Sequence, residues 1–286
     1  MKLIIQPADG IAPVIRALDR AKKSIDIMIF RFDRPEVEEA LQAAVVRGVT
    51  VRALIAHTNK GGGKTLRKLE LRLLAGGATV ARTAGDLARY HGKMMVIDGT
   101  ALHVYGFNHT KLDIDKSRSF GIVTRDPKLV AEAVRLFDAD ALRQDYHPNH
   151  SRLVVSPENS RAILTAFVKG ARHQLLIYDA QVSDNAIQKV LADRASDGVE
   201  IRILGSIEKD IKGVKARKLA PLRLHIRAIV RDGTEVFIGS QSLRKLELEG
   251  RREVGVIVKN ASVARKIIAT FEADWARSKK KVAGTP

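Results

Sequence analysis

Residues 23–55 read KSIDIMIFRFDRPEVEEALQAAVVRGVTVRALI, and residues 173–205 read HQLLIYDAQVSDNAIQKVLADRASDGVEIRILG. The two stretches align without a gap at an offset of 150 residues, which places Gly48 on Gly198. In each, an apolar run of strand length is followed by a segment with the apolar spacing of a helix, and then by a run that alternates as a strand does. A strand–helix–strand unit that occurs twice predicts an α/β fold built by duplication.

The similarity continues on both sides of this unit. Residues 11–24 and 160–173 have the spacing of amphipathic helices. Downstream, residues 90–110 (YHGKMMVIDGTALHVYGFNHT) align with residues 224–244 (LHIRAIVRDGTEVFIGSQSLR) at an offset of 134 residues. Each of these segments holds an Asp-Gly pair between two alternating runs, which predicts a β-hairpin, and a further strand follows each hairpin.

The chain therefore divides into two similar lobes. A polar segment around Pro148 separates them. We expect the first repeat to occupy residues 1–148 and the second to occupy residues 149–286. Each lobe should have its own mixed sheet flanked by helices, and a pseudo-two-fold axis should relate the two lobes.

The composition favours an anionic partner. The chain has 286 residues, no cysteine and a formal net charge of +18, with a pI near 10.2. A field of one sign attracts polyanions, so nucleic acid is the first expected partner and an anionic membrane surface the second, although a merely basic surface is the alternative. No apolar run reaches the roughly 20 residues that span a bilayer, and the start is not a secretory signal. We expect a cytoplasmic protein without integral membrane association.

Both predicted hairpins carry the same spacing of functional side chains. Each has a histidine, a cation two places later and an aspartate five places after that: His91, Lys93 and Asp98 in the first, and His225, Arg227 and Asp232 in the second. Residues i and i+2 of a strand face the same way, so each hairpin presents an imidazole beside a cation. The two aspartates could support the site, but turn formation and a structural ion pair are the favoured interpretation.

This paired pattern resembles the HxKxxxxD motif of the phospholipase D superfamily, and most closely its soluble nuclease and phosphodiesterase members. The resemblance covers nearly the whole chain. The family's Gly-Ser-x-Asn segment has counterparts that end at Asn108 in the first half, and that include Ser240 and Ser242 in the second. The glutamate that follows is Glu253 in the second half, whereas Ser119 occupies its place in the first.

The chemistry of phosphodiester cleavage explains these residue types. Lys93 and Arg227 would neutralise the non-bridging oxygens, and Asn108, Ser240 and Ser242 could support the same oxygens. One histidine would attack phosphorus to form a phosphohistidine, while the other protonates the leaving oxygen and then activates water. No metal or cofactor is expected, and one chain would suffice for the site, although an oligomer is possible.

The resemblance also implies which histidine attacks. In the family, the acidic residue that follows one motif supports the histidine of the other motif. Glu253 would then orient His91, and His225 would have only Ser119 or no partner. We therefore expect His91 to be the nucleophile and His225 the acid and base.

Two basic segments predict where nucleic acid would bind. Both follow the second strand of their repeat and precede the motif hairpin, so pseudo-symmetry should place them on two sides of one cleft. Solvated helix faces are the alternative interpretation. The candidate residues are Lys60, Lys64, Arg67 and Lys68 in the first half, and Lys212, Lys215, Arg217 and Lys218 in the second.

The sequence leaves three functions open. The leading one is a metal-independent phosphodiesterase that acts on nucleic acid. The second is a phospholipase D or phosphatidyltransferase, which is disfavoured because the sequence shows no strongly apolar loop and has only 5% aromatic residues. The third is a nucleic-acid-binding module with a decayed site, because Arg227 replaces lysine, Ser242 replaces asparagine and Ser119 replaces glutamate.

Overall fold

The structure is a computed structural model that describes residues 1–29, 31, 33–57, 63–220 and 222–280. The first half contributes, in chain order, β1 (Lys2–Gln6), α1 (Ala12–Asp19), β2 (Ser24–Ile29), α2 (Pro35–Val46), β3 (Thr50–Ile55), α3 (Gly63–Ala75), β4 (Thr79–Arg82), β5 (Arg89–Tyr90), β6 (Met94–Ile97), β7 (Ala101–Tyr105), α4 (Lys111–Asp115), β8 (Ser117–Thr124) and α5 (Pro127–Leu142).

The second half repeats most of this series. In chain order it contributes β9 (Leu153–Ser156), α6 (Ser160–Lys169), β10 (Gln174–Val182), α7 (Asn185–Ser196), β11 (Glu200–Ile207), β12 (Val214–Lys218), β13 (Arg223–Leu224), β14 (Arg227–Arg231), β15 (Glu235–Gly239), α8 (Lys245–Glu249), β16 (Arg251–Lys259), α9 (Ala261–Ala276) and β17 (Lys279–Lys280). The exception is that no helix equivalent to α3 lies in the described chain between β11 and β12.

Two mixed sheets have the same strand order. The first runs β1-β8-β7-β6-β2-β3-β4, and β9, β16, β15, β14, β10, β11 and β12 follow one another in the second. The predicted α/β fold with two similar lobes is therefore confirmed. The predicted junction at residue 148 falls between α5 and β9.

The repeated unit folds as its sequence pattern predicts. In the first lobe, β2 and β3 are parallel neighbours joined by α2, and in the second, β10 and β11 are joined in the same way by α7. Pro35 opens α2, where its missing N–H costs no hydrogen bond. Gly48 and Gly198 follow the two helices with φ angles of 82° and 85°, a conformation that glycine adopts without strain. The chain can then turn directly into the next strand.

The two halves pack against one another through a shared apolar core. Phe120 of the first half meets Tyr178 of the second at a ring-centroid distance of 5.4 Å, and Tyr178 meets Phe271 at 5.1 Å. All three rings are almost fully buried. Replacing such a ring by alanine would lower the free energy of unfolding by about 3–5 kcal/mol. Because these rings come from both halves, their contacts hold the two lobes together as one structural unit.

Each half also lends a short strand to the sheet of the other. The strand β5 pairs with β16 in parallel, and β13 pairs with β8 in parallel. This exchange is reciprocal, as a two-fold relation requires. Both lent strands lead directly into the motif histidines, so the exchange brings the two predicted half-sites to the boundary between the lobes.

Candidate active site

His91 and Glu253 meet because of the strand exchange. In the pairing of β5 with β16, Tyr90 lies opposite Arg252, and the next residue, His91, continues this register by donating its backbone N–H to the Arg252 carbonyl at 2.7 Å. The His91 side chain then lies beside Glu253, whose carboxylate is fully buried. Its oxygens are 2.9 and 3.0 Å from Nδ1 of His91.

This pair sets the protonation state of His91. Burial lowers the pKa of His91 to about 4, even though the Glu253 carboxylate acts in the opposite direction. Burial alone would raise the pKa of Glu253, but His91, Lys93 and Ser240 offset this and lower it to about 2. At neutral pH the imidazole is therefore neutral and Glu253 is ionised. Because an ionised carboxylate only accepts hydrogen bonds, Nδ1 of His91 carries the hydrogen and Nε2 keeps its lone pair.

Lys93 lies against the same imidazole. Its Nζ is 3.0 Å from Nε2 of His91 and donates to the His91 carbonyl at 2.6 Å. The side chain is almost completely buried, and burial lowers its pKa to about 7 despite the attraction of Glu253. An anion that contacts Nζ would therefore also lie close to Nε2 of His91.

His225 has an acidic partner that the sequence did not predict. Its backbone N–H donates to Arg118 at 3.2 Å, so it lies in register with Ser119 as His91 does with Glu253. The carboxylate comes instead from Asp113 on α4, whose Oδ2 is 3.3 Å from Nδ1 of His225, within ion-pair distance but misaligned for a hydrogen bond. The expectation that His225 has only Ser119 or no partner is therefore wrong.

Asp113 is held in place by several donors. It accepts from the backbone N–H and the side-chain amide of Asn108, at 2.9 and 2.7 Å, and from Arg223 at 2.6 Å. Thr110 caps the start of α4 and so directs this short helix back toward the site. Since Asn108 donates to Asp113, its contacts are those of a support for the carboxylate rather than a phosphate ligand.

His225 is also neutral in the free protein. Burial lowers its pKa well below the usual value, and although Asp113 opposes this effect, the cations of Arg227 and Lys93 add to it. These cations come from both halves, so the two histidine–cation pairs share one electrostatic environment. A bound phosphodiester would add a negative charge and favour the protonated form of His225.

Arg227 lies near a second carboxylate that the sequence did not predict. Asp179, which precedes an irregularity in β10, is fully buried, and burial raises its pKa while the Arg227 cation opposes the shift. The Ser242 hydroxyl donates to Asp179, as does the Leu243 backbone N–H at 2.7 Å. Within the described part of the chain, Nε of Arg227 has no hydrogen-bond partner. Arg227 can thus offer a donor to phosphate, whereas Ser242 is occupied by Asp179.

The remaining candidates near the motifs have structural contacts. Asp98 accepts from the backbone N–H groups of residues 22–24, and Asp232 from those of residues 172–174. Both aspartates lie at the turn of their hairpin, at the opposite end from the histidine. The predicted turn role fits these contacts, although backbone amides take the place of an ion pair. Ser240 bonds to the Val254 backbone and lowers the pKa of Glu253.

The predicted basic segments are only partly near the site. Lys60 lies outside the described residues and so does the Lys64 side chain, while Arg67 and Lys68 are exposed on α3. In the second half the segment forms β12, not a helix. Lys215 lies opposite Arg202 near the start of β11. Lys215 and Lys212 are therefore toward the start of β12, at the end of the strands that lies away from the site.

The final residues of β12 lie at the end of the strands that is closer to the site. Arg217 rests over the Trp275 ring at 4.4 Å, so its charge is partly covered. Lys218 and Arg223 line a cavity of about 660 Å³ whose other walls include Leu219, Leu222 and Leu224. Apolar side chains therefore lie beside these two cations, which the sequence analysis did not identify.

Two properties of the described residues bear on ligands and membranes. No group of three or more histidine, cysteine or acidic side chains in this part of the chain is arranged to hold a metal ion. None of its helices is long and apolar enough to span a bilayer.

The duplicated site has counterparts among known proteins. Residues 14–141 and 164–275 match the family described as "Cardiolipin synthase, PLD-like domain". The chain belongs to the phospholipase D superfamily. Mitochondrial cardiolipin hydrolase from Mus musculus and from Homo sapiens is 28% identical to it over 128 residues, which are 45% of this chain and 54% and 48% of those proteins. The chain thus spans about half of the length of these relatives.

Two solved structures of other proteins share the fold over almost the whole chain. Polyphosphate kinase from Porphyromonas gingivalis superimposes with a TM-score of 0.79 at 19% identity, over 96% of this chain and 50% of that one. Phosphatidylserine synthase from Haemophilus influenzae superimposes with a TM-score of 0.72 at 10% identity, over 97% of this chain and 87% of that one. At these identities the likeness shows the phospholipase D fold alone.

Proposed function

We propose that the protein is a metal-independent phosphodiesterase that hydrolyses nucleic acid through a phosphohistidine on His91. The observation that carries the proposal is the pairing of each motif histidine with a carboxylate from the opposite face of the boundary between the lobes: Glu253 with His91 and Asp113 with His225. A decayed binding module would have no need to keep both buried carboxylates.

The proposed reaction has two displacements. In the first, Nε2 of His91 attacks phosphorus while the bond to the leaving oxygen breaks, and protonated His225 gives its proton to that oxygen. In the second, His225 takes a proton from water, the water oxygen attacks phosphorus, and the bond to Nε2 breaks. Lys93 and Arg227 stabilise the charge on the non-bridging oxygens in both steps.

The histidine roles follow from the unequal support that the two imidazoles receive. Glu253 makes two close contacts to Nδ1 of His91, which fixes the tautomer. Asp113 divides its oxygens among three other donor groups and is misaligned with His225. A nucleophile benefits most from a fixed tautomer, whereas an acid and base must gain and lose a proton at low cost.

The pH dependence of kcat/KM should reflect the buried groups. His91 must be neutral, so activity should fall as the pH drops through about 4. Lys93 must be charged, and because its pKa is lowered to about 7, activity should fall as the pH rises through about 7. We expect an optimum between these limits for hydrolysis of bis(p-nitrophenyl) phosphate, and activity that rises from pH 7 to 9 would contradict the assignment.

Nucleic acid is the favoured substrate because of charge. The chain carries a net charge of +18, and a phosphate backbone offers the repeated anions that such a field attracts. A lipid phosphodiester is the second candidate. It is favoured by the apolar cavity of about 660 Å³ beside Arg223, which could hold an acyl chain, and by the lipid-related names of the relatives.

A substrate panel in EDTA tests the proposal. We expect cleavage of plasmid or oligonucleotide in the presence of the chelator, and loss of that cleavage in His91→Ala. Choline release from phosphatidylcholine vesicles, without cleavage of DNA or RNA, would favour the lipid enzyme. Salt-sensitive DNA binding without turnover of either substrate would leave only a binding module.

A further inference from the structure

A second concave, basic surface lies at the far end of the first lobe from the motif histidines. It is a cavity of about 440 Å³ between α1, the start of β1 and the hairpin turn of β6 and β7. We call it the basic groove, and its cations are Lys2, Arg16, Arg20, Lys22 and Arg125. The hairpin strand extends seven residues from His91 to Asp98, so the groove lies roughly 20 Å from the proposed nucleophile.

The cations of the basic groove are exposed and uncompensated. Most arginines elsewhere are paired, as Arg118 is with Asp274 at 2.7 Å and Arg252 with Asp140 at 3.0 Å. By contrast, no carboxylate among the described residues lies within 4 Å of any of the five groove cations. Among the described residues, Asp98 is the only acidic one that lines the cavity, and backbone N–H groups already bind its oxygens. The charges on the walls thus remain available to an anion.

Two cations of the basic groove, Lys2 and Arg125, lie close enough to the same buried side chain to affect its pKa. His103 lies buried in the wall of the groove, and burial lowers its pKa to about 4, with further lowering by the cations of Arg125 and Lys2. Arg125 follows β8 and Lys2 begins β1, so cations from separate elements converge on one concavity.

The fold does not require this concentration of charge. The second lobe has β9, α6 and β16 in the places of β1, α1 and β8. Its positions equivalent to the five groove cations are Arg152, Ala166, Gly170, Arg172 and Lys259. Two of the five cations are thus missing there. A third, Arg152, is paired with Asp126 at 2.7 Å. The uncompensated groove is therefore a property of the first lobe alone.

The geometry points to a second binding site, in which the basic groove holds the phosphate backbone of a nucleic acid away from the catalytic centre. The groove is concave, so a flexible phosphodiester chain can follow its walls and meet several cations at once. A membrane surface is flat and needs protruding apolar anchors, whereas the groove keeps its apolar residues Ile4, Pro13 and Ala17 in its walls. The bound chain would raise the affinity for long polynucleotides without touching the reacting atoms.

Charge removal at the groove tests this inference. The variant Arg16→Gln, Arg20→Gln, Arg125→Gln would be compared with the control Arg172→Gln, Lys189→Gln, Lys259→Gln, which removes the same charge from exposed positions of the second lobe. Binding of a fluorescent 30-nucleotide DNA strand would be measured in EDTA, with His91→Ala in every protein to prevent cleavage. We expect the groove variant to bind about tenfold more weakly and the slope of log K against log salt to fall by about 2, with a much smaller effect in the control.

Three further measurements decide the outcome. A variant with lysine at the same three groove positions should restore binding, because it restores the charge. Hydrolysis of bis(p-nitrophenyl) phosphate should be unchanged by the groove substitutions in the His91 protein, because this small ester cannot reach both sites. Equal weakening in the control variant would overturn the inference, as would a groove variant that loses binding to phosphatidylglycerol vesicles but keeps DNA affinity. Since binding is measured without turnover, a failure of the proposed hydrolysis would be seen separately in the wild-type protein.

Discussion

Replacement of His91 by alanine is expected to reduce turnover of a phosphodiester by roughly 10⁴- to 10⁶-fold, because it removes the atom that would bond to phosphorus. His225→Ala is the matched control. With bis(p-nitrophenyl) phosphate, p-nitrophenolate leaves without a proton, so His225→Ala should still release one equivalent rapidly and then stall. His91→Ala should show no such burst. A burst in His91→Ala, with none in His225→Ala, would reverse the two roles.

Replacement of Glu253 by glutamine is expected to reduce turnover by about 10³- to 10⁴-fold. The amide has nearly the same shape, but it can donate to Nδ1 of His91 and so favour the tautomer whose Nε2 is protonated, which cannot attack phosphorus. The loss should appear in the single-turnover rate constant of the chemical step. The dissociation constant of the substrate should be unchanged.

Asp113→Asn provides the comparison for the other half of the site. Its contact to His225 is 3.3 Å and misaligned, whereas Glu253 contacts His91 at 2.9 Å. We therefore expect a smaller loss in Asp113→Asn than in Glu253→Gln, measured on the same ester at the same pH. A larger loss in Asp113→Asn would mean that His225 depends more on its carboxylate, and the proposed nucleophile would then be in doubt.

The fold could be predicted from the sequence because its signals are local and repeated. The strand–helix–strand pattern of residues 23–55 returns at 173–205, and the Asp-Gly hairpins return with it. The pairing of His91 with Glu253 could also be predicted, since the family resemblance supplies the relation between the two halves. The exchange of β5 and β13 shows its physical basis, because each lent strand places its histidine in register with the opposite sheet.

The second carboxylate could not be predicted, because it depends on how one short helix turns. By its register, Ser119 occupies the place that Glu253 has in the other half, and it has no charge to offer. Asp113 lies six residues earlier, on α4, and reaches His225 only because Thr110 caps the helix and Asn108 binds the carboxylate. The spacing of Asn108 and Asp113 was the available signal, but it has no meaning until the turn between them is known.

The basic segments show the limit of linear charge patterns. Lys212 and Lys215 look equivalent to Lys218 in the sequence, yet they lie toward the start of β12 whereas Lys218 lies at its other end. The basic groove was missed for the converse reason. Its cations are dispersed from residue 2 to residue 125, and only the folded chain brings them together.

Identification of the phosphorylated residue tests the central claim most directly. His225→Ala would be mixed with bis(p-nitrophenyl) phosphate in EDTA, quenched after the burst and digested, and the adduct would be located by mass spectrometry under conditions that preserve phosphohistidine. We expect a p-nitrophenyl phosphoryl group on His91 and none in the His91→Ala protein. An adduct on another residue, or a burst with no adduct on His91, would contradict it.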